Sequence, residues 1–247
     1  MALRADMDAL PIEEKTDLSF KSKIPGQMHA CGHDAHTAIL LSVAKILKEN
    51  EKELKCRVRL IFQPAEECGV SGAEMLVKNG VMDGVNHIIC THCENDLDVG
   101  NLGVCYGDCM AACIPLTISF YGKTSHAALP QHGIDANAMA VEAYTMLKNT
   151  VNEIAGNTPY IWNVGRIEGG HVHNVVSGKC EMDISFRFYD MSFAERIEEK
   201  TKEICEGIAK KHGGKVEVNW KMSIYPVHND EKITADFEKN VKMQEFL

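Results

Sequence analysis

The sequence predicts an α/β protein in two parts: a layer built on a mainly parallel sheet, followed by an α+β module. Three observations carry this. Up to about residue 110, apolar strand-like runs alternate with helical periodicity, the pattern of a parallel sheet joined by crossover helices. From about 113 to 222 the order becomes β-α-β-β-α-β, a split βαβ arrangement of ferredoxin-like type. The apolar share of 45% and charged share of 25% over 247 residues are those of a globular chain that can bury a core.

Taken in order, "ALRAD" reads as a strand and "HTAILLSVAKILKENEKEL" as a helix buried in a core. "CRVRLIFQ" is a buried strand, "SGAEMLVKNG" a helix closed by Gly80, and "NHIICTHC" a third strand. In the second part "IPLTISFYG" alternates with period two. "DANAMAVEAYTMLKNTVNEI" follows as a helix with Asp135 as N-cap. "YIWNVGRIEG" and "KCEMDISFRFYD" are strands. "SFAERIEEKTKEICEGIAKKHGG" is an amphipathic helix with Ser192 as its expected N-cap, and "KVEVNW" is the last strand. A new helix begins after "YPVHND". The expected domains are therefore 1–112, 113–222 and 223–247, the third resuming the first.

A net charge of −9 with scattered Lys and Arg excludes a nucleic-acid binder, and no apolar run is long enough for a membrane span. Ten cysteines in a chain of this length, most within apolar runs, read as reduced core thiols. The opening "MALRADMD" has no signal-peptide character, so a cytoplasmic protein is expected.

Five stretches carry chemistry. "HACGHDAH" offers Cys31 and His33, both good zinc ligands, at the mouth of a helix whose N-terminus would favour the Cys31 thiolate. "FQPAEECG" sets Glu66 and Glu67 before a glycine-containing turn, at the carboxyl end of a strand, where α/β sheets place ligands. Adjacent glutamates can divide labour, one binding metal and the other taking a proton from metal-activated water. "CTHCEND" brings His92 to the same sheet edge. Its flanking Cys90 and Cys93 form a C-x-x-C, but one that ends a strand instead of opening a helix. "GKTSHAALPQHG" holds His126 in a turn of small residues. "GGHVHNVVSGKCEMDISFRF" places Arg187, able to grip a carboxylate, on the face opposite Met182, Ile184, Phe186 and Phe188.

"RADMDALP", "HACGHDAH", "QPAEE", a histidine at the next strand's end, "GKTSHAA" and "GG…NVV…R" occur in that order. The chain thereby resembles the M20 metallopeptidases, specifically the amidohydrolase branch of hippurate hydrolases, N-acyl-amino-acid deacylases, N-acetyldiaminopimelate deacetylases and plant auxin-conjugate hydrolases. The resemblance implies a zinc-peptidase-like catalytic domain interrupted by a ferredoxin-like lid that dimerises. It implies two divalent metal ions (zinc, manganese, cobalt or nickel) held by Cys31, His33, Glu67 and His92. Glu66 matches the general base and Asp8 an orienting aspartate. Asp6 falls where related branches carry a ligand histidine, and it is left out of the ligand set. His126 matches a lid histidine that steadies the oxyanion in the partner subunit's site, and Asn174 and Arg187 match anchors for the substrate carboxylate.

The implied reaction is hydrolysis of an N-acyl amino acid by a homodimer. Family members continue on both sides of this stretch, and their last ligand histidine has no match here, so the resemblance also implies a chain truncated at both ends. Two other readings follow from the same residues. A truncated paralogue would act as a dimerising or binding module without metal. A thiol-redox protein would use Cys90 and Cys93 and be indifferent to chelators.

Overall fold

The computed structural model describes residues 1–68, 71–221 and 224–242. The glycine-containing turn expected after Glu67, the boundary at 222–223 and the final "MQEFL" lie outside them. The chain forms two compact units, residues 1–102 and 103–247.

In the first unit, strand β1 (Ala2–Asp6) lies between β2 (Arg59–Gln63) and β3 (Ile88–Cys90) in a three-stranded sheet. Both pairings are parallel, with Asp6 beside Gln63 and Arg4 beside Cys90, so all three carboxyl ends open on one edge. Two helices join them, α1 (His33–Glu49) and α2 (Gly72–Lys78). The Ser71 hydroxyl accepts the Glu74 N–H and caps α2. A Cβ on Gly72 would lie 1.7 Å from the Pro64 carbonyl oxygen, so only glycine lets α2 start against the end of β2.

Helix α1 corrects the expectation of a helix buried in a core. Only His33, His36 and Leu40 are buried, while Ile39, Leu41 and Ile46 are more than half exposed. One stripe meets β1 and β2, and two of its three buried residues are histidines.

In the second unit, β4 (Gly107–Met110) is followed by β5 (Ala112–Tyr121) and the two-residue β6 (Ser125–His126). Then come α3 (Ala136–Ala155), β7 (Tyr160–Gly169), the short β8 (Val175–Val176), β9 (Lys179–Phe188), α4 (Met191–His212) and β10 (Lys215–Trp220). β11 (Val227–Asn229) and α5 (Glu231–Lys242) close the described chain. The main sheet is antiparallel in the order β10-β5-β9-β7, while β11 pairs with β4 and β6 with β8.

Alternation along β9 buries Met182, Ile184, Phe186 and Phe188. With Ile114, Leu116, Ile118 and Phe120 of β5 they pack against Met139, Leu147, Phe193 and Ile197 of the two helices. Asp135 caps α3 as expected. The cap of α4 is Asp190, not Ser192: its carboxylate accepts the N–H groups of Ser192 and Phe193.

The cysteines correct a second expectation. None of the ten is in a disulfide, and only Cys180 and Cys205 are buried. Cys90 sits on a three-residue edge strand, and Cys105 and Cys109 lie in or beside the small β4–β11 ribbon; all three are exposed. Among the described residues no helix is long and apolar enough to cross a membrane.

Candidate metal centre

The open edge of the three-stranded sheet collects the polar residues of the first unit. β1 delivers Asp6 and, just past its end, Asp8. The turn before α1 delivers Cys31 and the first helical residue is His33. The segment after β2 delivers Glu66 and Glu67, and His92 follows β3 by two residues. Parallel pairing makes this convergence unavoidable, because each strand must end on the same side. The bend after β2 is tight: Ala65 has φ of 52°, a left-handed conformation that a side chain resists, and it turns the two glutamates toward the edge.

His33 is the centre of this group. It is 1% exposed, and neither ring nitrogen has a hydrogen-bond partner. Its Nδ1 lies 3.4 Å from Asp8 Oδ1 and its Nε2 lies 3.7 Å from Asp6 Oδ2. Asp8 Oδ1 is likewise buried and unpartnered. Among the described residues, three sets of ligand atoms lie within 4.8 Å of one another: Cys31–His33–His92, His33–Glu66–Glu67 and Asp6–His33–His36. His33 belongs to all three.

The remaining groups are oriented by hydrogen bonds. His92 Nδ1 donates to the Cys93 carbonyl at 2.6 Å, which leaves Nε2 with its lone pair 3.4 Å from Cys31 Sγ. Asp8 Oδ2 accepts the Glu67 N–H at 2.8 Å. Gly32, with φ of 82°, stands between Cys31 and His33, where a Cβ would meet Cys93 Cβ and Sγ at 3.3 Å.

The electrostatics call for a cation. Burial, a hydrogen bond with Glu67 and the charges of Glu67, Glu66 and Asp6 push the Cys31 thiol up to about 11. The lowering expected from the helix N-terminus is outweighed first by burial and then by the three carboxylates. Partial burial, then the charge of Glu67, raises Glu66 above the usual carboxylate range. Asp8 goes the other way: desolvation raises it, but the N–H groups of Glu67 and Glu66 more than offset this and hold it low. A thiol, imidazoles and carboxylates with orphaned buried nitrogens are a donor set that fits divalent metal ions.

In the second unit, His126 lies in β6, paired with Val175 of β8, and its Nδ1 accepts the Ala128 N–H at 3.1 Å. The Ala127 N–H donates to the Asn174 carbonyl at 2.9 Å, so His126 and Asn174 are neighbours. Arg187 is not with them. It stands exposed near the other end of β9, opposite Cys113. Eight strand steps from Lys179 to Arg187 amount to about 26 Å.

Residues 2–245 match the family model described as Peptidase family M20/M25/M40. The chain belongs to this peptidase family. This M20 chain is 40% identical over 239 residues to an N-acetyl-L-cysteine deacetylase of Bacillus subtilis (strain 168), covering 95% of the chain and 56% of that protein. It is 39% identical over 230 residues to an N-acyl-L-amino acid amidohydrolase of Geobacillus stearothermophilus, covering 93% and 62%. Its fold superposes with a TM-score of 0.79 on the crystal structure of Bacillus subtilis YXEP, described as a dinuclear metal binding peptidase from the M20 family. Identity there is 34%, with 98% of the chain and 62% of YXEP covered. The M20 chain thus spans less than two thirds of the length of these relatives.

Sequence reasoning omitted two residues that the structure brings into the cluster. Asp6 and His36 are both buried and hydrogen-bonded to each other at 2.6 Å. The available signal was spacing: His33 and His36 are three apart at a helix start and so share a face.

Proposed function

We propose that the chain hydrolyses the amide bond of N-acyl amino acids, releasing the free amino acid and a carboxylate, with two divalent metal ions bound at the edge of the three-stranded sheet. The observation that carries this is His33: a buried imidazole with two unpartnered nitrogens, ringed by a thiol, a second imidazole and carboxylates. Amidohydrolase and deacetylase relatives supply the reaction class.

In this reading Cys31, His33, Glu67 and His92 hold the metals, and Asp8 fixes Glu67 through its backbone N–H. When bound, the ions polarise the scissile carbonyl and make water acidic enough to be deprotonated near neutral pH. Glu66, its pKa raised, takes the proton from the attacking water and returns it to the leaving amine. His126 donates a hydrogen bond to the carbonyl oxygen as negative charge develops there. Asn174 and Arg187 hold the substrate carboxylate, which sets the amide in register.

The separation of Arg187 from His126 and Asn174 supports a site completed by a homodimer. One small carboxylate cannot bridge about 26 Å of strand, so Arg187 of one copy would act with His126 and Asn174 of a second. Edge strand β7, ten residues long with Ile161 and Ile167 exposed, offers a surface for such pairing. Residues 113–222 then form the dimerising lid, with 1–112 and 223–247 belonging to the catalytic domain. Ten cysteines without a disulfide suit a cytoplasmic setting.

The test is elemental analysis for bound metal, with hydrolysis of N-acetyl and N-benzoyl amino acids followed in the same preparation. Bound metal with chelator-sensitive turnover is expected. Turnover that survives complete metal removal would sink the reading, metal without turnover would mean a site kept without its chemistry, and no metal would leave a dimerising or binding module.

A further inference from the structure

We infer that His36 is a positioning residue for this centre, acting on His92 through the backbone of Cys93; the inference rests on reading His92 as a metal ligand. His36 is buried, one helical turn from His33, and is assigned no part in the proposed reaction. Both of its ring nitrogens are committed. Nε2 accepts the Cys93 N–H at 2.8 Å, so Nδ1 carries the proton and donates it to Asp6 Oδ1 at 2.6 Å. His36 therefore has no lone pair to offer a metal, although it lies in the Asp6–His33–His36 group.

Its orientation is set from behind. Asp6 Oδ2 accepts from Arg4 at 2.8 Å, and Arg4 Nε donates to the Gln63 side chain at 2.9 Å, tying the neighbouring strands β1 and β2 together. Thr37 adds a hydroxyl donated to the Asp6 carbonyl at 3.0 Å. A rigid acceptor is thereby aimed at one backbone N–H just past β3.

That N–H belongs to the peptide joining His92 to Cys93, and the Cys93 carbonyl accepts the His92 Nδ1–H at 2.6 Å. Residue 93 is thus held on its N–H by His36 and on its carbonyl by His92. The two imidazoles also pack against each other, centroids 4.7 Å apart. The outcome is a His92 ring locked with Nε2 facing Cys31 Sγ at 3.4 Å. Partners of this kind orient a ligand and raise its affinity.

Two isosteres separate positioning from packing. The Gln amide oxygen stands near the place of Nε2 and keeps an acceptor for the Cys93 N–H. The Asn amide nitrogen stands near the place of Nδ1, keeps the bond to Asp6 and loses the acceptor. Zn²⁺ affinity of the 247-residue chain is measured by competition with a chelating dye, alongside melting of the metal-free proteins. His36→Gln should bind within about threefold of the parent and His36→Asn at least tenfold more weakly, with similar melting temperatures. Parent affinity in His36→Asn, or an equal fall in both variants, would overturn the inference.

A second readout needs no metal. In the ring-nitrogen NMR spectrum of the metal-free chain, His36→Asn should shift the His92 Nδ1 signal. An unmoved signal overturns the positioning role, whereas a parent chain that takes up no Zn²⁺ removes only the reading of His92 as a ligand.

Discussion

Asp8 reaches both halves of the metal centre: one carboxylate oxygen accepts the Glu67 N–H at 2.8 Å, and the other stands 3.4 Å from His33 Nδ1 with no hydrogen bond of its own. A side chain so placed holds the glutamate turn against the helix start. Asp8→Ala should therefore weaken Zn²⁺ binding by about ten- to a hundredfold, and Asp8→Asn, which keeps an acceptor, by less. Unchanged affinity in the alanine variant, measured by dye competition, would remove Asp8 from the centre.

Glu66 and Glu67 are adjacent, and burial together with its neighbour's charge raises the pKa of Glu66. Glu66→Gln should leave the metal content unchanged and lower turnover of N-acetyl amino acids by about a hundredfold or more. If metal departs with the substitution, the ligand and the base are the reverse of those proposed.

Phe186 anchors the core of the second unit. It is fully buried, with ring contacts to Trp162, Phe188, Phe193 and Trp220. Phe186→Ala should cost about 3–5 kcal/mol in urea unfolding followed by tryptophan fluorescence, since Trp162 and Trp220 report on this core. A loss under 1 kcal/mol would mean that the aromatic cluster is not the stabilising element.

The Asp190 cap supplies a pH dependence. A hydrogen bond from the Ser192 hydroxyl, with the N–H groups of Ser192 and Phe193, holds its pKa below the ordinary aspartate value. A depressed folded-state value stabilises the fold fully above the unfolded value and ceases to do so as pH falls through the lower one. Asp190→Asn keeps an acceptor but cannot titrate. Its acid unfolding should show a shallower slope below about pH 4 than the parent's. Identical slopes would show that the cap contributes nothing through its charge.

Strands were legible where alternation or apolar density was unbroken. "ALRAD", "YIWNVGRIEG" and "KVEVNW" coincide with β1, β7 and β10 residue for residue. Elements were overextended where apolar residues continued past the pairing partner. "NHIICTHC" reads as a strand throughout, but only Ile88–Cys90 pairs; the chain leaves β1 after Arg4↔Cys90, short of Ala5 and Asp6. The cap of α4 was misplaced by two residues because Asp190 and Ser192 are both good caps, and the choice depends on backbone geometry that spacing does not encode. At the metal centre, side chains with ligand chemistry could be read directly. Asp6 and His36 could not, because their part is to hydrogen-bond each other and a backbone N–H contributed from distant sequence.

The donor atoms around His33 come from four stretches of chain, from Asp6 at the end of β1 to His92 beyond β3. A cation seated there would behave as a fastener across that open edge, closing the long excursions between strands that are themselves only three to five residues long. Withdrawing it should quicken amide exchange in β1, β2 and β3 while β5 and β9 keep their protection. Of the two units, only the first would have its rigidity on loan from solution.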